Sequence, residues 1–267
     1  MMNLWHDPLA LRRLSLLLGI GLVLLWLAYA IRWVMYLPYF ELQHIQVSAK
    51  SGMTLQYVTV PTLRAGGLGA GWAQAGPTRH PNQSFFGVNL DAVKQSFETV
   101  PWVRKASVRR LWPNGLLVEI EEHRALAQWG ESRLLNQQGE IFTANLDEAE
   151  LDGPLPELSG PDSAAALVAQ RFALLQSQLS KLPLGPQAIQ QLTLTPRYAW
   201  QIRLNNGMQL ALGRDRTDVD LTAQVSRFVA VYPQLQKQLG KEIDYVDLRY
   251  SNGFAVRANA VKLAAAG

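Results

Sequence analysis

The most apolar stretch of the chain lies close to its N-terminus. Residues 14–31 carry no charge, and the apolar residues from Trp33 to Leu37 extend the stretch beyond Arg32. As an α-helix, residues 14–31 cover about 27 Å, close to the ~30 Å thickness of a bilayer core. The pattern predicts one transmembrane helix over residues 14–37.

The charges that flank this stretch predict its orientation. Arg12 and Arg13 precede it directly, and positive residues favour the cytoplasmic side of a membrane. Residues 1–13 are therefore predicted to be cytoplasmic and the bulk of the chain to lie outside, in the periplasm of a bacterium with two membranes. Arg32 opposes this orientation only weakly, because its long side chain can reach the headgroups. Trp33, Tyr36 and Tyr39 would form an aromatic belt there.

A cleavable signal peptide is the competing interpretation of the same stretch. The sequence Ala28-Tyr29-Ala30 has the small-x-small pattern of a cleavage site. No polar region follows it, however, because apolar residues continue to Leu37. We therefore expect the segment to be retained as an anchor.

Residues 38–123 show the spacing of a small α+β domain. The pattern predicts a strand over 40–48, a short helix over 57–64, a loop over 65–84, a helix over 90–99, and strands over 103–111 and 116–122. Asn89 is the expected N-cap of the 90–99 helix, and Trp102 is expected to pack in the core against that helix. The two strands form a hairpin across Trp112-Pro113-Asn114-Gly115, where Asn-Gly is expected to supply positive φ.

Residues 124–258 alternate between short strands and two longer helices. Strands are predicted over 125–129, 133–136, 139–143, 189–195, 200–205, 208–213, 243–250 and 254–257, and helices over 163–182 and 218–239. Residues 145–162 are predicted to be a loop, Ser163 to cap the first helix, and Pro233 to kink or shorten the second. Residues 259–267 are predicted to be a tail.

Composition excludes several classes of site. The 267 residues contain no cysteine, which excludes disulfides, thiolate metal sites and a cysteine nucleophile. The net charge of +4 is modest, and no basic run interleaved with aromatic residues predicts a nucleic-acid surface.

Candidate catalytic chemistry is sparse. The four histidines, His6, His44, His80 and His123, are scattered and show no metal-ligand spacing. The glycine-rich residues 66–71 lack the Lys-Ser/Thr of a phosphate-binding loop.

Three glutamates beside His123 could be imagined as an acid–base group. Glu119, Glu121 and Glu122 lie on the second arm of the hairpin, opposite arginines of the first arm. Arg104, Arg109 and Arg110 are therefore expected to pair with them across the hairpin. The sequence predicts no enzyme and no cofactor.

Several motifs resemble the FtsQ/DivIB family of bacterial cell-division proteins. In the first region these are FFGVNLD at 85–91, PWVRKASVRRLWP at 101–113 and VEIEEH at 118–123. In the second region they are WQIRLNNG at 200–207, LGR at 212–214, RFVAVYP at 227–233 and YVDLRYSNGFAV at 245–256. The resemblance covers nearly the whole chain in order, including the anchor.

The resemblance implies an α+β fold with a single transmembrane helix, a POTRA domain of order βααββ over 38–123, and a mixed β-sheet domain with helices over 124–258. It implies a non-catalytic scaffold of the inner membrane at the division septum, which links early and late division proteins and helps control septal peptidoglycan synthesis. The implied partners are FtsB and FtsL, with FtsW, FtsI and FtsK as further ones. The alternative is a POTRA chaperone in outer-membrane protein assembly or secretion, although such modules usually precede a barrel or occur in tandem.

The resemblance also implies where the partner binds. In the family the partner adds as a strand alongside the last strand. The resemblance assigns this partner-binding role to the following residues of the chain: Arg197, Tyr245, Arg249, Tyr250, Asn252, Gly253 and Phe254. Tyr250 and Phe254 are expected to be apolar anchors and Arg197 an ion-pair donor to an acidic partner segment.

Overall fold

The computed structural model describes residues 8–35, 38–50, 52, 54–63, 85–151, 153–215, 220–239, 243–250 and 253–258. The predicted loop at 65–84, the predicted tail at 259–267 and Asn252 lie outside these residues. The chain divides into two compact units, Met1–Glu122 and His123–Gly267.

The first element is one long apolar helix, α1 (Pro8–Met35). Its segment Arg12–Val34 has a mean hydropathy of 2.4, and none of it is buried within the protein. It is long and apolar enough to cross a membrane, as the charge-free stretch predicts.

Beyond α1, the described residues of the first unit form a three-stranded sheet with two short α-helices. The elements are β1 (His44–Ala49), α2 (Val60–Leu63), α3 (Leu90–Glu98), β2 (Val103–Leu111) and β3 (Gly115–Glu122). The strand order is β1-β3-β2, with β1 parallel and β2 antiparallel to β3. This is the predicted βααββ order.

Local signals account for α3 and its packing. The side chain of Asn89 accepts hydrogen bonds from the backbone N–H groups of Asp91 and Ala92, which confirms the predicted N-cap. Val93 and Phe97 face the core, and Trp102 is buried as expected. The ring of Trp102 stacks on Tyr57, with centroids 4.0 Å apart.

The hairpin turn differs from the prediction. Neither Asn114 nor Gly115 is among the described residues with positive φ, and the Trp112–Pro113 peptide bond is cis. Gly115 instead lies close to the ring of His44 on β1: a Cβ there would be 2.4 Å from Nε2, so a larger residue would require the His44 side chain to move. A contact across the sheet of this kind is invisible in the local sequence.

The second unit is built on a nine-stranded sheet in the order β12-β11-β10-β9-β8-β7-β4-β5-β6. Its strands are β4 (Ala125–Trp129), β5 (Arg133–Asn136), β6 (Ile141–Phe142), β7 (Glu157–Ser159), β8 (Ile189–Leu194), β9 (Ala199–Leu204), β10 (Gln209–Arg214), β11 (Ile243–Asp247) and β12 (Ala255–Ala258). Its helices are α4 (Leu146–Ala149), α5 (Ala165–Leu179) and α6 (Leu221–Leu239).

Two helices and the sheet share one core. α5 contributes Phe172 and Leu175, α6 contributes Phe228, and β9 contributes Trp200; all four side chains are buried. Alternate residues are buried along most of β8, β9 and β10, which is the period-two pattern on which the strand predictions depend.

Two predictions for the second unit were wrong in detail. The predicted loop 145–162 contains α4 and β7, and β7 is a central strand, parallel to β4 and β8. A three-residue strand next to prolines is too short to show alternation. Ser163 does not cap α5, because a 3-10 turn over Asp162–Ala164 leads into the helix. Pro233 lies within α6, which continues to Leu239 and so is not shortened; the kink stays a prediction.

Candidate protein-interaction site

The last strand of the chain forms one edge of the nine-stranded sheet. β12 pairs antiparallel with β11, with Val256 opposite Val246 and Ala255 opposite Asp247. Among the described residues no strand pairs with its other side. Half of its backbone N–H and C=O groups therefore face outward, where they can pair with another chain.

The topology collects distant residues at the end of the sheet where β12 begins. β11 runs parallel to β10, so both strands finish at this end. The turn between β8 and β9 lies there too, because Ala199 is opposite Arg214 at the end of β10. Arg197 and Arg249 are thereby brought to the same end of the sheet, although fifty residues separate them in the sequence.

The β8–β9 turn that carries Arg197 is held tightly. Thr195 accepts a hydrogen bond from Tyr198 N–H at 2.8 Å and donates its own N–H to the carbonyl of Ala199 at 2.9 Å. Tyr198 has φ of 58°, a value that is unusual for a residue other than glycine. Arg197 is exposed at the tip of this turn and forms no ion pair among the described residues.

An open groove of about 680 Å³ lies beside this turn. Three arginines, Arg197, Arg214 and Arg249, line it together with Gln224 from α6. The Oε1 atom of Gln224 is buried and accepts no hydrogen bond within the described residues. The charged side chains that line the groove among the described residues are thus all cationic.

The stem of Arg249 crosses the end of β10 at Gly213. Gly213 has φ of +80°, and a Cβ there would lie 3.1 Å from Cγ of Arg249. A side chain at this position would therefore be strained and would press on Arg249. Sequence reasoning did not identify Gly213, Arg214 or Gln224 as site residues; the LGR motif contained the first two without indicating their role.

Arg249 is held by the carboxylate of Asp247. Nε of Arg249 donates to Oδ1 at 2.8 Å, and Nη2 donates to Oδ2 at 2.5 Å. Asp247 is only 6% exposed, and the hydrogen bonds from Arg249 hold the pKa of its carboxyl below the usual value. The same pairing raises the pKa of Arg249. The pair therefore stays ionised at neutral pH and fixes the chain where β11 ends.

The two predicted apolar anchors differ in their surroundings. Tyr250 is 59% exposed and is available to a partner. Phe254 is half-buried and packs against the core, with its ring perpendicular to that of Phe228 at a centroid distance of 5.9 Å. Gly253 between them is exposed.

Tyr245 lies farther along β11. The guanidinium of Arg257 sits 5.2 Å from the centroid of its ring, and Nε of Arg257 donates to Asp244 at 3.0 Å. Tyr245 also lines a second groove of about 230 Å³ with polar side chains of β8, β9 and β10. Its ring therefore lies on the face of the sheet, in a groove that shares Gln201 with the arginine-lined one.

The carboxylates near His123 are engaged in structural contacts. Glu119 accepts a hydrogen bond from Arg109 at 3.0 Å, and Glu122 accepts from the backbone N–H groups of residues 56–58. Glu121, only 8% exposed, pairs with Lys50 at 2.7 Å and with Arg104. Hydrogen bonds from Lys50 and Arg104 hold the pKa of Glu121 below its usual value.

Arg110 and His123 also have structural roles. Arg110 does not pair with a glutamate as expected; its Nε donates to the carbonyl of Phe85 at 2.9 Å. His123 stacks on Phe142, and its Nδ1 lies 2.9 Å from the amide of Asn136. The described residues contain no group of His, Asp and Glu arranged to hold a metal ion.

Comparisons with known families match both units. Residues 74–123 match the POTRA domain of FtsQ type, and residues 127–249 match the C-terminal domain of cell division protein FtsQ/DivIB.

Three relatives cover almost the whole chain, and each is named cell division protein FtsQ. The protein of Burkholderia pseudomallei is 37% identical over 259 residues, 97% of this chain and 96% of its own. That of Bordetella pertussis is 36% identical, over 95% of this chain and 92% of its own. That of Nitrosospira multiformis is 35% identical, over 95% of this chain and 99% of its own.

Proposed function

Because the chain belongs to the FtsQ/DivIB family of bacterial cell-division proteins, we propose that it is a non-catalytic scaffold of the division machinery. It is held in the inner membrane by α1, with residues 1–13 in the cytoplasm and both folded units in the periplasm at the septum. There it binds FtsB and FtsL and so links early division proteins to the enzymes of septal peptidoglycan synthesis. FtsW, FtsI and FtsK are further partners in this proposal.

The free edge of β12 is the observation that carries this proposal. An extended segment of FtsB added alongside β12 would pair with the outward N–H and C=O groups and extend the sheet by one strand. Backbone pairing supplies affinity that depends little on partner sequence, so the side chains around the edge must supply specificity.

The surroundings of the edge suggest what the partner segment looks like. Tyr250 offers an exposed aromatic ring where β12 begins, which fits an apolar residue of the partner. Arg197 and Arg214 line the adjoining groove without ion pairs among the described residues, so the groove favours an acidic side chain. We propose a partner strand with an acidic residue near the groove and an apolar residue against Tyr250.

The other predicted site residues have supporting roles. Phe254 fixes β12 to α6 through Phe228, and Arg249 fixes the end of β11 through Asp247. Tyr245 with Arg257 presents a mixed aromatic and cationic surface beside the edge. Asn252 lies outside the described residues and remains a candidate on family resemblance alone.

Hydrogen exchange of the backbone amides tests the binding mode directly. With FtsB bound, alternate amides of Ala255–Ala258, those that point away from β11, should become protected, because they gain a hydrogen-bond partner. The amides that point toward β11 should change little. Protection confined to other strands would place the partner elsewhere and reject strand addition at β12.

A reporter fusion tests the proposed topology. A reporter that is active only in the periplasm, fused after Gly267, should be active. The mass of the membrane-bound protein should show an intact N-terminus; a start at Ile31 would establish the signal-peptide interpretation. Recovery of outer-membrane barrels rather than FtsB with residues 38–267 as bait would favour the chaperone alternative.

A further inference from the structure

The sheet of the first unit places three chain segments at one end. Because β1 and β3 are parallel, both begin there, with His44 opposite Gly115. β2 finishes at the same end, where Leu111 is opposite Gly115. The turn at 112–114 is therefore adjacent to the segment Pro38–Phe40, which follows α1 in the chain.

Aromatic side chains cover this end of the sheet. We call them the juxtamembrane aromatic cluster: Tyr39, Phe40, Phe85, Phe86 and Trp112. The ring centroid of Phe40 lies 5.3 Å from that of Tyr39, 5.2 Å from that of Phe86 and 5.8 Å from that of Trp112. Trp112 also lies 5.4 Å from Phe85 and 6.1 Å from Phe86. The rings thus form one continuous group.

Hydrogen bonds hold the backbone beneath the cluster. Phe85 N–H donates to the carbonyl of Phe40 at 2.8 Å, and Gln43 N–H donates to the carbonyl of Asn114 at 2.9 Å. Nε of Arg110 donates to the carbonyl of Phe85 at 2.9 Å. The segment after α1, the residues around Phe85 and the hairpin turn are therefore joined to one another.

The outer members of the cluster are exposed. Trp112 is 66% exposed and Tyr39 is 64% exposed, whereas Phe85 beneath them is 1% exposed. A single exposed aromatic residue is ordinary on a soluble protein. Here two exposed rings both pack on Phe40 and together form an apolar surface that also carries an indole N–H and a phenol O–H, which is the character of residues at a membrane interface.

Chain connectivity keeps this surface close to the bilayer. The candidate span ends at Val34, and Tyr39 follows five residues later. Five residues cover at most about 17 Å when fully extended, and the headgroup layer beyond the hydrocarbon core is about 5–8 Å thick on each side. Tyr39 and the rings in contact with it therefore remain within reach of the headgroups.

We propose that the juxtamembrane aromatic cluster inserts into the headgroup region of the bilayer that α1 spans, with Trp112 and Tyr39 as its points of contact. In this arrangement the indole N–H and the phenol O–H face the headgroups, and the aromatic rings contact lipid instead of water. This contact fixes the distance between the first unit and the membrane more closely than the covalent link to α1 does by itself. The inference rests on the retained span proposed above.

Depth measurements with a spin label test the proposal in the full chain. The protein has no cysteine, so a single Asn114→Cys label reports on the turn while Trp112 is retained. A Lys105→Cys label is the control, because Lys105 is exposed on β2 about 20 Å from Leu111, at the other end of the strand that leads into the turn. Both proteins are reconstituted in phospholipid nanodiscs, where incorporation itself reports whether the span is retained.

The collision rate of each label with a water-soluble nickel complex, relative to oxygen, is the readout. The label at 114 should be several-fold less accessible to nickel than the label at 105. Trp112→Asp combined with Tyr39→Asp should raise the accessibility of the 114 label to that of the control, while Trp112→Tyr should leave it low. Both positions are exposed, so circular dichroism should show an unchanged fold.

Two results would overturn the proposal. One is equal nickel accessibility at 114 and 105 in incorporated protein. The other is a low accessibility at 114 that persists in the double aspartate variant, since local packing would then explain it. If the 114 label is accessible in nanodiscs but becomes protected when a division protein is added, the cluster is a protein-binding surface rather than a lipid-binding one.

Discussion

The ring of Phe254 packs edge-on against Phe228, with centroids 5.9 Å apart. Phe228 is fully buried in α6, so this contact ties the start of the edge strand to the core of the second unit. The family resemblance treats Phe254 as a partner contact, whereas the structure gives it a packing role within its own domain. The two aromatic residues of the last hairpin should therefore respond differently to mutation.

Replacing Tyr250 with Ala should weaken FtsB binding by more than about 2 kcal/mol if its exposed ring is a central anchor. The free energy of unfolding should change little, because the ring has few neighbours to lose. Titration calorimetry and chemical denaturation measure the two quantities. Phe254→Ala is the comparison: it should lower stability as well as affinity, by about 1–3 kcal/mol of stability for a half-buried ring. Identical behaviour of the two variants would contradict this division of roles.

Arg197→Glu should weaken FtsB binding, and the loss should shrink as salt is added, because it replaces attraction by repulsion at the groove. Affinities measured across a series of salt concentrations give the comparison. Lys181→Glu makes the same charge change at an exposed position that does not line the groove, so it serves as the control. Equal losses in the two variants would mean that net charge, rather than the groove, is responsible.

Proline substitutions in β12 should separate strand addition from hairpin stability. Neighbouring residues of a strand direct their N–H groups to opposite sides, so Ala255→Pro and Val256→Pro remove donors from opposite edges. One variant should lose FtsB affinity with its fold retained, and the other should disturb the β11–β12 pairing. Circular dichroism and the binding assay distinguish them. Retained affinity in both folded variants would rule out pairing at this edge.

Glu121→Gln should destabilise the first unit by about 1.5–3 kcal/mol, because it removes a nearly buried carboxylate that pairs with Lys50 and Arg104. Glu119→Gln removes an exposed pair with Arg109 and should cost less than about 1 kcal/mol.

The pKa of Glu121 is lowered by folding, so its contribution to stability is present above the ordinary carboxyl value of 4.5 and is lost as pH falls through the lower folded value. Denaturation of the parent and of Glu121→Gln as a function of pH should therefore converge toward acid; curves that stay parallel would refute this account.

Trp102→Ala should cost about 3–5 kcal/mol of unfolding free energy, because its ring is buried and stacks on Tyr57. Trp112→Ala is the matched variant on the same hairpin, and its exposed ring should cost far less in detergent solution. Thermal denaturation measures both. A loss below about 1 kcal/mol for Trp102 would show that its burial contributes little to folding.

Local sequence signals determined most of the secondary structure. The length of the charge-free stretch predicted α1, and the helical spacing of apolar residues after the N-cap Asn89 predicted α3. The alternation of apolar and polar residues on either side of turn residues predicted the β2–β3 and β11–β12 hairpins. These signals succeed because each depends on residues within about one turn of helix or one strand. They fail where the cause is distant, as at Gly115, which lies against the His44 ring of the neighbouring strand, and at β7, which is a strand because β4 and β8 flank it.

The candidate site shows the same difference between what local sequence predicts and what long-range pairing decides. The sequence by itself determined a cysteine-free α+β chain of the FtsQ/DivIB type with an N-terminal helix long enough to cross a membrane, and it marked the last hairpin as a candidate site. Only the tertiary structure decided that β12 is an edge strand, that Arg197 and Arg249 lie at one end of the sheet, and that Phe254 turns toward the core. The reason is physical: strand order and sheet ends depend on pairings between residues far apart in the chain, and no local pattern records them.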